Sequence, residues 1–374
     1  MKTKFLDDIE RLRGFACILI LVQHIAWICP LRFIHEIIPF KLLIGSGAVH
    51  LFFAISGFVV TLSIRDKFNA LQENTFLDKL FSAKDMLLSF YKRRFFRIFP
   101  VVLLVMITIG IFLGITESNL DWVVQLLRAP AEVFFGVYNN SVELFVSSEK
   151  IHFSGCGPFW TLAVEAQFYL LWPLALLACK DDNVRAIVSL SLGLFFLFVL
   201  QPAVAAFYGN KYYAIYNNIS ELFLGAFLAF LYKDNSSCEC CGKISNLITV
   251  VLAMLVWFYP NSLVDKTFFS NTVVICSSVF LVAMAAFVPG SFRIPVLSKL
   301  FDYLGSRSFS FYAIQLVLAN IVVYFTNSTY FPRESFYERD FYMYQFIIFV
   351  IMQFIVSEFL YRIIEKPSRK FGRN

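Results

Sequence analysis

Charge is what this 374-residue chain has least of: Asp, Glu, Lys and Arg make up 16% of it, where soluble domains carry about a quarter. Histidine is scarcer still, with 4 residues. Eight cysteines stand at 17, 29, 156, 179, 238, 240, 241 and 276 without regular pairing. Most lie inside apolar runs, where a free thiol behaves as a small hydrophobe, and nothing argues for a disulfide framework. Cys238, Cys240 and Cys241 are three close thiols with no histidine nearby. Zinc usually takes four ligands at regular spacing, so no metal is expected. No glycine-rich phosphate loop, nucleic-acid module, internal repeat or low-complexity tract is present, and no nucleic-acid partner is expected. The first apolar run lacks a small-residue cleavage site with a polar stretch behind it, so it reads as a retained helix, not a signal peptide.

What the chain does have is apolar surface. Hydrophobic residues make up 59%, including 46 Phe, more than one soluble core could hide, so lipid must be the solvent for much of it. A spanning helix needs about 20 mostly apolar residues. Ten segments qualify or nearly so: 12–29, 46–64, 99–116, 159–179, 185–206, 217–232, 244–260, 269–288, 304–325 and 341–363, the sixth and seventh being short. The expected fold is all-α, one polytopic membrane domain over residues 1–374.

Basic residues orient it. With the N-terminus inside, 24 of the 32 Lys and Arg fall in inner segments and 8 in outer ones. That asymmetry predicts cytosolic termini. The inner stretch 65–98 ends in FLDKLFSAKDMLLSFYKRRFFRIFP, basic and amphipathic, expected on the membrane surface with Pro100 setting the start of the third span. The outer stretch 117–158 reads as a re-entrant or interfacial helix pair broken at Pro130.

Ionisable groups inside spans are costly and mark function by default. In the first span Arg13 and His24 are eleven residues apart, which returns them to nearly one face, about 16 Å apart along the axis. Such spacing suits a long ligand with an anionic head and a reactive tip, such as an acyl-coenzyme A. It also fits a positive-inside anchor and a polar contact between helices. Ser56-Gly57 in the second span is either a catalytic serine or a small pair for close packing. His50, near the outer end of that span, suits a polar lining. Arg93, Arg94 and Arg97 precede the third span, and arginine in place of lysine favours bidentate phosphate binding. Glu165 sits about two turns into the fourth span among Trp160, Phe168, Tyr169 and Trp172. It could fix a histidine base or hydrogen-bond groups within the bundle.

In order along the chain, IERLRGFA with Gln23-His24, HLFFAISGFVVT, YKRRFFRIFP, FWTLAVEAQFYLLWP, NNISELFLGAFLAFL, YLGSRSFSFYAIQ and YRIIEKPSRKFG resemble the acyltransferase-three family of integral membrane O-acyltransferases. The resemblance implies a bacterial inner-membrane enzyme with acetyl-coenzyme A or another acyl-coenzyme A as cytosolic donor. It implies a glycan acceptor on the outer side, such as a lipopolysaccharide, capsule or exopolysaccharide. His24 would be the base or acyl relay, and Arg13 with Arg94 and Arg97 would hold coenzyme A phosphates. Departures from the family pattern are Glu10, Arg11, Thr161, Ala166 and Gln315, the last standing where histidine is common. Some members carry a second, esterase-like domain.

The expected mechanism is direct transfer, with His24 deprotonating a sugar hydroxyl and Glu165, by its depth, the better carboxylate partner than Glu10. Glu10 is expected to orient Arg13. Acceptor contacts are expected from His50, Ser56, Trp160, Tyr169 and Gln315, and selection from 117–158 and 326–340. An acyl-His24 relay is the competing version. A membrane transporter or a non-catalytic scaffold are the rival classes, although the inverted repeats of secondary transporters are not evident.

Overall fold

The computed structural model describes residues 4–28, 47–70, 75–116, 130–138, 159–208, 218–233, 242–262, 268–293, 296–327 and 338–373. Among them all regular structure is helical. In chain order the helices are α1 (Lys4–Ile28), α2 (Gly47–Asn69), α3 (Phe76–Ser82), α4 (Lys84–Thr116) and α5 (Trp160–Ala178). There follow α6 (Asp182–Phe195), α7 (Ser220–Leu231), α8 (Gly242–Ser262), α9 (Phe268–Phe287), α10 (Ser298–Ser306), α11 (Ser308–Asn327) and α12 (Glu338–Leu360). Each of the ten apolar segments overlaps helix, but 304–325 runs across the break between α10 and α11 at Arg307. Among the described residues six stretches are long and apolar enough to cross a membrane: Gly47–Asn69, Lys84–Phe112, Trp160–Ala178, Asp182–Val204, Ser308–Thr326 and Phe341–Phe371.

Burial separates an inner layer from an outer one. The apolar windows of α2, α5 and α11 are 61%, 56% and 67% buried, whereas those on α4, α6 and α12 are at most 28% buried. The outer helices present Ile107, Ile187, Phe198, Ile351 and Phe359 outward, which only lipid can cover. Short α7 is apolar and almost wholly buried, as expected of a helix at the centre of a bundle.

Glycines set the closest crossings. A Cβ on Gly57 of α2 would stand 2.0 Å from the carbonyl oxygen of Leu222, and one on Gly225 of α7 would stand 2.2 Å from that of Ala54. Between α1 and α10 the same device recurs: Gly14 against Phe301 at 2.2 Å and Gly305 against Glu10 at 1.9 Å. Ser56-Gly57 is therefore a packing pair on its glycine side.

Two expectations change here. The basic stretch before the third span is not one surface helix. Phe76–Ser82 is a separate short helix, and Lys84–Thr116 runs unbroken through Pro100. Membrane helices tolerate an internal proline because neighbouring groups re-satisfy the freed backbone. Pro100 therefore does not start the span, and the arginines ride on the spanning helix itself. Within 117–158, residues 130–134 are helical. Phe134 packs edge-on against Phe95 and Phe99, at 5.2 and 6.2 Å between ring centres. Phe99 lies 17 residues, about 25 Å, before the end of α4, so residues 130–138 reach deep along that helix, as a re-entrant segment would. The rest of 117–158 lies outside the described residues.

At the opposite side Arg185 is 3% exposed and ties α6 to the end of α2. It donates to Asn69 Oδ1 at 2.5 Å, Asp182 Oδ1 at 3.0 Å and the carbonyl of Leu176 at 3.2 Å. Arg185→Ala strands these acceptors, and a loss of about 1–3 kcal/mol is expected. A lower melting temperature in detergent checks this, with Arg185→Lys recovering part of the loss.

Candidate active site

A cleft opens between α1, α2, α4, α5 and α11. Its polar lining is Arg13, Ser56, Arg97, Thr161, Glu165, Ser308 and Tyr312, set among Ile20, Val49, Phe52, Phe53 and Ile98. The helices deliver these groups by simple periodicity. On α2, Val49, Phe52, Phe53 and Ser56 share one face, and on α5 Thr161 and Glu165 are one turn apart. Thr161 Oγ1 and Tyr312 Oη are 2.9 Å apart, joining α5 to α11 across the cleft.

Arg13 and Arg97 line the cleft and feel each other's charge. Neither has an ion pair or hydrogen bond among the described residues. Arg369 joins them electrostatically from the end of the chain. It gets there through a π-helical turn, Tyr361–Glu365, that carries α12 into a last helix at Lys366–Phe371. There Phe371 packs on Phe96, 4.9 Å between ring centres. Glu365 is 2% exposed, accepts from Ser310 Oγ at 2.5 Å and takes only an outlying nitrogen of Arg369 at 3.3 Å. Arg13 and Arg97, gathered here without an ion pair among the described residues, suit an anionic ligand, while Arg369 keeps Glu365 as its partner. Glu10 is the carboxylate within electrostatic reach of Arg13, the relation expected for an orienting residue.

Arg94 lies behind the cleft wall, its guanidinium 5.3 Å from the ring centres of both Phe90 and Tyr169. Arg93 bonds Ser89 Oγ at 2.6 Å and is not part of the lining. Of the expected arginine cluster, Arg97 thus faces the cleft directly, with Arg94 one layer back.

Glu165 accepts the hydroxyl proton of Tyr169, whose oxygen lies 2.8 Å from Ser56 Oγ. This chain spans α5 and α2 at the middle of the cleft. Trp172 Nε1 donates to Thr61 Oγ1 at 2.8 Å and holds the same two helices together farther along. Trp160 is buried edge-on to Phe53 at 6.1 Å, behind the lining.

His24 stands one turn beyond the lining residue Ile20 on the same face of α1, about 6 Å farther along the axis. It is 9% exposed, and its polar neighbour is Gln315 of α11, not Glu165. Neither His24 Nδ1 nor the amide atoms of the wholly buried Gln315 has a hydrogen-bond partner among the described residues. A buried imidazole and a carboxamide with free polar atoms can take a ligand hydroxyl between them. Glu165 accepts from Tyr169, one turn along its own helix, so the contacts of His24 and Glu165 form two polar groupings at two depths.

His50 is also placed differently from expectation. Its Nδ1 pairs with Glu221 of α7, and Ser220 Oγ donates to the other carboxylate oxygen at 2.8 Å. The pair lies outside the cleft lining. Glu221 carries the same signal as Glu165, an ionisable group in an apolar run, and sequence reasoning passed over it. Arg369 was hidden differently, since one more basic residue in the basic segment 362–373 needs no further explanation. Among the described residues no group of three His, Cys, Asp or Glu is arranged to hold a metal. Cys238, Cys240 and Cys241 lie outside the described residues.

Comparison with known proteins places this arrangement. The chain matches the acyltransferase-three profile, described as an acyltransferase domain, over residues 6–362. The chain belongs to the acyltransferase-three family. Among its relatives is the O-acetyltransferase OatA of Staphylococcus aureus strain NCTC 8325, 26% identical over 400 residues that cover 99% of this chain and 58% of that protein. OatA of strain COL matches with the same identity and coverage. The chain thus spans less than two thirds of the relatives it matches. No solved structure matches it significantly. Family membership and the apolar helices together mark this chain as an acyltransferase-three domain in a multi-pass membrane protein.

Proposed function

We propose that this protein moves an acyl group, acetyl in the first instance, from acyl-coenzyme A to a hydroxyl of an envelope glycan. The observation that carries the reading is the cleft itself, lined by Arg13 and Arg97 without an ion pair among the described residues, with a buried histidine with free polar atoms one turn beyond its lining. The spacing of Arg13 and His24 along α1, about 16 Å, suits a ligand with an anionic head and a distant reactive tip. Both termini face the cytosol in this reading, and the ten helical segments all cross or enter the bilayer as one domain. The OatA relatives are named as O-acetyltransferases, which agrees with an oxygen acceptor and an acetyl donor.

Arg13, Arg97 and Arg369 bind the donor's phosphates from the cytosolic end, with Arg94 behind them. The acceptor enters from the outer side, where His24 takes the proton of the attacking hydroxyl. Gln315 holds that hydroxyl against the imidazole. The acceptor is a lipopolysaccharide O-antigen, capsule or exopolysaccharide of a bacterial inner-membrane pathway.

Proteoliposomes test the sidedness. Labelled acetyl-coenzyme A is supplied on one face and purified envelope polysaccharide on the other. Ester-linked label on the polysaccharide is expected only when donor and arginines share a face, and label that never reaches the polysaccharide would refute the reading. Arg97→Ala is expected to raise the donor KM by about 10-fold or more with a smaller change in kcat, the loss of a charge-assisted contact. Arg97→Lys should retain part of it. Steady-state kinetics against donor concentration read both.

A further inference from the structure

Two proton-accepting groupings at two depths are one more than a direct transfer needs. The deeper one ends in a nucleophile. Ser56 Oγ lies 2.8 Å from the Tyr169 oxygen, and that phenol donates to Glu165. The phenolic proton of Tyr169 is used in its bond to Glu165, so the serine hydrogen points at the phenolic oxygen. The lone pairs of Ser56 are then left for the cleft, which Ser56 and Glu165 line together with Arg13 and Arg97.

A hydroxyl that needs only to be satisfied inside a helix bonds the carbonyl four residues back. Thr108 and Thr326 do this here, at 2.9 Å to Leu104 and 2.6 Å to Val322. Ser56 instead crosses to another helix for its partner. Its backbone is fixed by the contact of Gly57 with Leu222, and Tyr169 is held by Trp172 on Thr61, so the geometry is imposed from both sides.

We propose that Ser56 carries the acyl group between donor and acceptor, a step that rests on the acyl-coenzyme A reading above. Ser56 Oγ attacks the thioester carbonyl carbon as its proton passes to Tyr169 and that of Tyr169 to Glu165. The carbon–sulfur bond breaks, and the departing thiolate takes the proton from Glu165, which lines the same cleft, leaving coenzyme A as free thiol and the carboxylate restored. The acceptor hydroxyl then attacks the Ser56 ester and gives its proton to His24. The ester bond to Ser56 breaks, and the proton held by His24 restores the serine hydroxyl. Acylated glycan and free coenzyme A are the net products, with no further reactant.

The full-length reconstituted protein is incubated with labelled acetyl-coenzyme A without acceptor, quenched and digested. His24→Ala, which is blocked in the second half, is expected to hold about one acetyl group per chain on the Ser56 peptide. As an oxygen ester this label survives neutral hydroxylamine and is released by alkaline hydroxylamine, whereas an acetyl-imidazole is lost in both. Ser56→Ala is expected to take no label and to transfer about 100-fold slower or worse. Ser56→Cys is expected to hold the label as a thioester, released at neutral pH. A coenzyme A-induced rise in melting temperature shows that each variant is folded and binds donor. Label on donor-competent Ser56→Ala equal to wild type overturns the proposal, as does unlabelled, donor-competent His24→Ala beside a wild type that acetylates the glycan. If the wild type neither labels nor transfers, the acyl-coenzyme A reading itself fails and the carrier falls with it.

Discussion

His24→Ala is expected to lower kcat for acyl transfer to the glycan by about 10²–10⁴-fold, the range that a positioned general base contributes. The donor KM should change little, because His24 stands beyond Ile20, away from the arginine end of the cleft. The imidazole is buried with Nδ1 unpaired beside a carboxamide whose two polar atoms are also unpaired. A histidine kept only for structure would have those positions filled, since buried polar groups normally find partners. Protein yield and melting temperature should therefore stay near wild type while turnover collapses. A variant that loses folded protein in proportion to its activity would assign His24 to packing.

Gly57→Ala is expected to abolish the folded protein. The added Cβ would meet the Leu222 carbonyl oxygen at 2.0 Å, and both partners are backbone, so no side chain can swing aside. The helices must separate along the crossing that also holds Gly225 against Ala54. Overpacking of a tight core costs about 1–3 kcal/mol and more where backbone must move, as here. Gly225→Ala should behave alike, whereas Ile355→Ala, on the lipid-facing side of α12, should leave the protein folded. Fluorescence-detected size exclusion of the detergent-solubilised variants checks this. A monodisperse Gly57→Ala peak at the wild-type melting temperature would contradict it.

The membrane character, the helical fold and the family were legible because they rest on long-range sums: apolar runs, Lys and Arg counts, and seven motifs in order. Arg13, Arg97, Ser56 and Glu165 were legible as polar groups in apolar stretches, and the structure gathers all four around one cleft. Pairings were not legible. Depth estimates set Glu165 opposite His24, but they carry no rotational information between helices, and Tyr169 is one turn from Glu165 on its own helix. His50 and Glu221 are 171 residues apart, a partnership that no local spacing encodes. Pro100 misled because a rule for soluble helices was applied inside a membrane helix. The role of Arg369 needed the π-helical turn, which re-aims the last helix toward α4 and has no simple sequence signal.

The central claim is that acyl transfer to an envelope glycan runs through this cleft. Mass spectrometry of envelope glycans from a deletion strain, complemented with wild type or with His24→Ala at equal protein level, tests it most directly. The account predicts ester-linked acyl groups restored by wild type alone. Glycan acylation that is unchanged by the deletion, or fully restored by His24→Ala, would contradict it.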